Sequence, residues 1–426
     1  MSLNRKIPPG LNAFITPQLP TPSVFCLDNG IPICPIQGGS QDIVKIDFIF
    51  KAGKWYQPSP YIAYGVNRLM KEGTCRHTSA EIAEKLDFYG AFLDTFSEAD
   101  DAVITLYSLN KHLDTLLPLL EEIIKMPEFP QKEIDIFIQK EHQRFIINQQ
   151  KVKYLARTHF METIFGAEHP YGKTIKEEVF SNLHREAWKS YHSEYYRSDN
   201  CKIILSGKIP GSLPAALNRF FGGKDWENTA AETHQPAEII PITDHYRKIT
   251  KHDTQQSGIR IGRPLFNRTH PDYFPFTVLN TLLGDYFGSR LMTNLREEKG
   301  YTYGIGSQLV SFRHSGYLTI ASEVNGDSTN QALQEIMFEI QQLREIPIKE
   351  KELSLVKNYM LGSFLHGIED PFSLADKYKK TLMYGKDFSY YYQWLDAIQS
   401  TSAEKIAQLA NAYLKEEDLW TVVAGK

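Results

Sequence analysis

The 426-residue chain has no uninterrupted apolar run near the roughly 18 residues that a membrane-crossing helix needs. It also lacks a dominant charge. With 47 basic and 51 acidic side chains the formal net charge is −4, which leaves no basic footprint for nucleic acid and no reason to expect an anionic membrane partner. Its four cysteines (Cys26, Cys34, Cys75, Cys201) show no C-x-x-C spacing, which argues against a zinc ribbon or a dithiol redox pair. Cys26 and Cys34 flank the turn "LDNG". With Asn29-Gly30 as a two-residue loop, Cys26 faces Ile33, so no bridge is expected and the thiols are read as reduced and buried. The N-terminus, "MSLNRKIPPGLNAFITPQLPTPS", carries charge but no apolar stretch before its prolines. No signal peptide is expected, and the location is read as cytoplasmic, or periplasmic or otherwise exported if the N-terminus was trimmed.

A further absence concerns metal. None of the 13 histidines lies in an H-E-x-x-H or H-x-x-E-H pattern. "HGIEDP" sets His366 four residues before Asp370, but Pro371 makes this a helix end rather than a ligand pair. His142 points about 100° away from its neighbour Glu141 on a helix, and His77 lies beyond a turn.

What the chain does have is an internal repeat. A length of 426 residues is too great for one ordinary core and implies two domains or more, and a hydrophobic content of 42% is ordinary for a globular chain. At offsets of 213 to 219 residues, "IVKIDFIFKAG" (43–53) parallels "QSGIRIGRPLF" (256–266) and "CKIILSGK" (201–208) parallels "LWTVVAGK" (419–426). In the same order, "LEEIIKMPEFPQKEIDIFIQK" (120–140) parallels "EIQQLREIPIKEKELSLVKNY" (339–359). The common order and offset imply duplicated domains rather than a solenoid. Segments 90–109 and 301–324 read as hairpins beside long helical stretches. The fold class expected is α+β, two homologous α/β-sandwich domains, each a mostly antiparallel sheet packed against helices. The expected boundaries are an N-terminal extension 1–19, a first domain 20–224, a linker 225–242 inside the stretch 222–244 that is rich in small, polar and Pro/Gly residues, and a second domain 243–426.

Chemistry is expected around "YGVNRLMKEGT" (64–74). Over 61–72, Ile62, Val66, Leu69 and Met70 form one helical stripe, with Tyr64, Asn67, Arg68 and Lys71 opposite. This helix stops at Gly73, and a second begins at Thr78 with Glu81 completing a capping box. In the helix opened by Pro130, Glu141 falls within the stripe of Ile134, Phe137, Ile138 and Phe145. A buried carboxylate there needs a metal, a cation or solvent.

These segments resemble the inverzincins, the pitrilysin/insulinase zinc metallopeptidases, which carry H-x-x-E-H on such a helix followed by Gly-Thr. In that family the histidines bind zinc, the glutamate is the general base, and a glutamate on a later helix is the third ligand. Laid on Gly73-Thr74, the resemblance puts Tyr64 and Arg68 at the histidine places, Asn67 at the base and Glu141 at the third ligand. It extends through "HPYGKTI" (169–175) and "YYRSDNCKIILSGKI" (195–209), and most specifically through "GSRLMTNLREEKGYTYGIGS" (288–307). There Arg296 and Tyr303 match the family's pair that holds peptide near the zinc and stabilises the tetrahedral intermediate, both being donors to an oxyanion.

The resemblance therefore implies a non-zinc-binding subunit of a heterodimeric, processing-peptidase-like enzyme. It binds no cofactor itself, is inactive alone, and supports peptide hydrolysis at the zinc of a homologous partner carrying H-x-x-E-H. Asn67 cannot accept the proton that the base would take. A peptide or unfolded polypeptide is the expected substrate. A non-proteolytic scaffold or peptide-binding member of the family is the alternative, and a zinc peptidase with unorthodox ligands is a third reading. Within the degenerate site, Arg68 is expected to replace the metal's charge by pairing with Glu141.

Overall fold

The computed structural model describes residues 14–226 and 237–426. In the first half, strands β1 (Phe25–Cys26), β2 (Pro32–Gln37), β3 (Ile43–Phe50), β4 (Phe92–Ser97), β5 (Ala102–Leu109) and β6 (Cys201–Gly207) form one sheet in the order β1-β2-β6-β3-β5-β4. In the second, β7 (Tyr246–Thr250), β8 (Gln256–Leu265), β9 (Thr302–Ser311), β10 (Gly316–Asn325) and β11 (Trp420–Gly425) follow the order β7-β11-β8-β10-β9. Apart from β1, the orders are the same. Each sheet has one parallel pair, β2 with β6 and β7 with β11, and is otherwise antiparallel. The duplication read from sequence is thus a duplication of topology, and the two-domain α+β expectation holds.

Helices α1 (Ile62–Leu69), α2 (Ser79–Phe88), α3 (Leu113–Lys125), α4 (Gln131–Gln149), α5 (Val152–Phe165), α6 (Arg185–Tyr195) and α7 (Leu213–Phe221) belong to the first half. The second supplies α8 (Tyr273–Gly284), α9 (Thr329–Glu345), α10 (Glu350–His366), α11 (Pro371–Leu382), α12 (Ser389–Ser400) and α13 (Ala403–Tyr413). Two of these helices cross over. Helix α5 lies on β8 and β11 of the second sheet, where Phe160 and Ile164 pack with Val422. Gly262 leaves room for the Phe160 ring, which an added Cβ would meet at 3.1 Å. Reciprocally, α11 covers β2 and β6 of the first sheet, bringing Ala375 and Tyr378 into the cluster that holds Cys34, Ile36 and Ile204. Each sheet therefore buries one face on its own helices and the other on a helix of the opposite half, which makes the two halves interdependent.

Polar contacts reinforce the exchange. Lys45 on β3 is buried and meets Asp376 of α11 at 2.6 Å and Asp47 at 3.4 Å, while Lys379 lies 3.7 Å from Asp47. At the hairpin tips, Arg313 between β9 and β10 reaches both carboxylate oxygens of Asp101, at 2.9 and 3.2 Å, between β4 and β5. Its backbone N–H donates to Asp100, which also accepts the Tyr171 hydroxyl.

Several local expectations change. Helix α1 ends at Leu69, and residues 70–72 form a tight turn in which Glu72 N–H donates to the Leu69 carbonyl. The capping box at Thr78 and Glu81 is present. The first hairpin pairs Cys26 with Pro32 and Phe25 with Ile33, because Asp28, Asn29 and Gly30 together make the turn, with Gly30 in the left-handed region. All four cysteines are free, but only Cys34 and Cys201 are buried. His366 ends α10, while Asp370 caps α11 through the Phe372 and Ser373 N–H groups. Of the expected linker, residues 227–236 lie outside the described residues, as do residues 1–13 of the expected extension. Leu19 packs into the second half's core, and the N–H groups of Ile240 and Ile242 donate to carbonyls at the end of α5.

Candidate functional site

Helix α1 is packed on both sides, by the sheet and by α4 and α6, so its polar residues do not form a solvent face. Gly65 lets it approach α6 closely, since an added Cβ would lie 2.8 Å from the Trp188 ring nitrogen. Asn67 is 1% exposed, and its amide donates to the Val103 carbonyl at 3.3 Å. It is a structural donor, not a base. Tyr64 is half-buried with its ring 5.7 Å from Phe137 of α4 and 6.3 Å from Tyr61. Tyr61 itself takes a left-handed backbone conformation at the helix start, φ 69°, unusual for an aromatic residue.

Glu141 is 7% exposed, as its place in the stripe implied. Its partner is not Arg68, however. The carboxylate meets Arg144 at 2.5 Å, and Arg68 is solvent-exposed with no ion pair among the described residues. Spacing of i, i+3 on one helix sets Arg144 beside Glu141 without any reach between helices. The Glu141 carboxylate, with the Tyr64 phenol behind it, holds the Arg144 guanidinium above its ordinary value. Arg68 acts elsewhere: with burial as the larger cause, its charge helps lower the neighbouring Lys71 ammonium. Arg144 is the residue the sequence reading missed, although "EHQR" places it one turn from Glu141.

The residues present do not fit a zinc ion. Tyr64, Asn67 and Arg68 supply no imidazole or carboxylate, and the one acid, Glu141, is already met by a cation. Among the described residues no group of three or more His, Cys, Asp or Glu is placed to hold a metal. His77 lies 2.8 Å from buried Glu122, and His142 lies 2.8 Å from Glu177.

Arg296 and Tyr303 stand apart from this site, on the edge of the second sheet. Arg296 belongs to a π-helical turn, Met292–Glu298, whose wide coil is anchored by Asn294 on Glu335 and Glu339 of α9. Arg290, just before it, binds Glu352 of α10 through two nitrogens. The Ser289 hydroxyl, at the start of this segment, is buried without a hydrogen-bond partner among the described residues. The Arg296 guanidinium lies 5.0 Å from the centre of the Phe287 ring. Tyr303 sits in a β-bulge, where the pairing passes from Thr302–Val324 to Ile305–Ser322. Two residues there oppose one, which turns Tyr303 outward until it is 93% exposed. Beside it runs a groove of about 620 Å³ between the sheet and α5, lined by Arg260, Lys153 and Gln308. Burial, and then the nearby Arg157, lower Arg260 from its ordinary value. No described hydrogen bond or ion pair links Arg296 or Tyr303 to Glu141.

The comparisons with known proteins match this architecture half by half. The family model described as "Insulinase (Peptidase family M16)" matches residues 38–177, and "Peptidase M16 inactive domain" matches residues 182–360. The chain belongs to the M16 peptidase family. It is 24% identical to "Uncharacterized zinc protease YmxG" of Bacillus subtilis, over 84% of this chain and 86% of the relative. It is 23% identical to "Non-peptidase homolog YmxG" of Helicobacter pylori, over 84% and 83% respectively. Among solved structures, a peptidase M16 inactive domain from Pseudomonas fluorescens superposes with a TM-score of 0.86 at 22% identity, covering 95% of this chain and 98% of that one. At that identity the superposition establishes the fold, which this M16 chain shares throughout.

Proposed function

We propose that this M16 chain is the non-catalytic subunit of a heterodimeric zinc metallopeptidase. Its partner, a homologous chain carrying H-x-x-E-H, supplies the zinc. This chain supplies Arg296 and Tyr303, which bind the peptide and stabilise the oxyanion formed at the partner's metal. One observation carries the reading: in the first half the ligand positions hold an amide donor and a Glu141–Arg144 pair, whereas in the second Tyr303 is turned out of the sheet by a bulge. A guanidinium and a phenol hydroxyl can both donate to a developing oxyanion without being general bases. Tyr303 lines a groove of about 620 Å³ beside β9, the edge strand of the second sheet.

The alternative, a non-proteolytic scaffold or peptide-binding member, is favoured by the name of the Helicobacter pylori relative, a non-peptidase homolog. The two readings separate in one experiment. The purified chain is assayed for bound zinc and for cleavage of an unfolded polypeptide, alone and mixed with an H-x-x-E-H partner. The expected result is activity only in the mixture, with kcat reduced about 10²-fold by Arg296→Ala or Tyr303→Phe. Unchanged activity of the mixture with both substitutions favours the scaffold. Full activity of the isolated, metal-loaded chain overturns both.

A further inference from the structure

The second half contains a cleft at the place that corresponds, through the repeat, to the α1–α4 site. At the offset of 213, Tyr64, Asn67 and Arg68 correspond to Thr277, Asn280 and Thr281 on α8; at 219, Glu141 and Arg144 correspond to Met360 and Ser363 on α10. All five of these second-half residues line a single cleft of about 660 Å³. Where the first half fills its site with Tyr64 and a paired Glu141–Arg144, the second has threonines, a serine and no carboxylate at the matching positions.

The charge in the cleft is also unmatched. Arg268 enters from the turn after β8, its guanidinium 6.0 Å from the Tyr273 ring centre and 5.7 Å from that of Tyr384. Its Nε is buried with no partner, and it forms no ion pair among the described residues. Lys377 of α11 approaches from another side with its ammonium 4.9 Å from the centre of the Phe364 ring, and Lys380 lies at the rim. The one carboxylate in the lining is Asp285, solvent-exposed and without an ion pair among the described residues. Ring faces and the Tyr273 hydroxyl, which accepts from Arg268, carry no full negative charge, so the guanidinium remains short of a counter-charge. Asn280, in the lining and 3% exposed, keeps its side-chain oxygen buried without a donor among the described residues.

We propose that this cleft binds a carboxylate carried on a flat apolar body. The carboxylate takes the guanidinium fork of Arg268, with Lys377 beside it. The body lies among Trp394, Tyr390 and Phe364, which line the same cleft. The same chemistry is offered by a free aromatic acid and by a peptide C-terminus that ends in an aromatic residue. The site requires neither zinc nor a partner, so it stands whether or not the subunit reading does.

The test is calorimetric titration of the full chain with 3-phenylpropionate and its neutral amide. Gly-Gly-Phe, with a free and an amidated C-terminus, is titrated in parallel. At least one acid is expected to bind tenfold or more tighter than its amide, the tighter of the two acids identifying the source. Arg268→Gln should abolish the difference, and Lys377→Gln should reduce it severalfold. The second variant decides the matter if the first does not fold. Equal affinity for acids and amides, no binding, or a preference unchanged by Lys377→Gln overturns the proposal.

Discussion

The two crossing helices occupy equivalent places but hold their sheets by different means. Helix α5 sits on the second sheet by apolar packing around Phe160, Ile164 and Val422. Helix α11 sits on the first with Ala375 and Tyr378, yet adds a charge cluster in which its Asp376 and Lys379 meet the buried Lys45 and Asp47. Duplication therefore preserved the geometry of exchange while leaving its chemistry free to diverge. The same holds for the paired clefts, one closed by an internal ion pair and the other open around unpaired cations.

The largest effect expected from this contrast is on the apolar side. Phe160→Ala removes a fully buried ring between the halves and should cost about 3–5 kcal/mol, measured by urea unfolding. The cost should be insensitive to salt. A loss under about 1 kcal/mol would mean that α5 is not held by its packing on the second sheet.

The hairpin tips should respond to pH. Burial pushes the Asp101 carboxyl up to about 6, against the opposing pull of Arg313. An acid whose folded pKa lies above its unfolded one keeps its proton longer when folded, so this group's contribution is lost as pH rises from about 4 to about 6. The change should be on the order of 1–3 kcal/mol, and Asp101→Asn should flatten that part of the stability profile. A profile unaltered by the substitution would show that Asp101 is not perturbed.

The degenerate site can be challenged by rebuilding it. With Tyr64→His, Asn67→Glu and Arg68→His introduced together, Arg144 still holds Glu141, so zinc should bind weakly. Adding Arg144→Ala should then raise zinc affinity about 10–100-fold in chelator competition, because the carboxylate is released. Equal affinity with and without Arg144 would remove its assigned role.

Much of this was legible in the residues. Repeat order gave both sheets, the hairpins fell where alternation placed them, and Thr78 with Glu81 began α2. Four features were not legible, each for a physical reason. Periodicity shows which face of a helix is apolar but not which sheet it covers, so the exchange of α5 and α11 was invisible. Asn67 was placed opposite the apolar stripe, yet α1 is packed on that side too, which a single helix pattern cannot show. The partner of Glu141 was sought across helices at Arg68, although Arg144 was available at i+3 on the same helix. The Cys26 register failed by one residue because the turn takes three residues rather than two.

The smallest expected effect tests the charged crossing helix against the apolar one. Burial opposes the charge of Asp376, but hydrogen bonding to Lys45 and the charge of Lys379 leave its carboxyl below the ordinary value. A folded pKa depressed in this way contributes stability that is fully present above about pH 4 and is lost as pH falls further. The sign is opposite to that of Asp101. Because the Asp376 side chain is 48% exposed, solvent screening limits its contribution to about 1 kcal/mol or less at neutral pH. Asp376→Asn should therefore produce a small loss at pH 7 that vanishes near pH 3, whereas the Phe160→Ala loss should persist at both. If the Asp376→Asn loss were unchanged at pH 3, the ion cluster would be acting through shape alone, and the two crossing helices would be held in the same way.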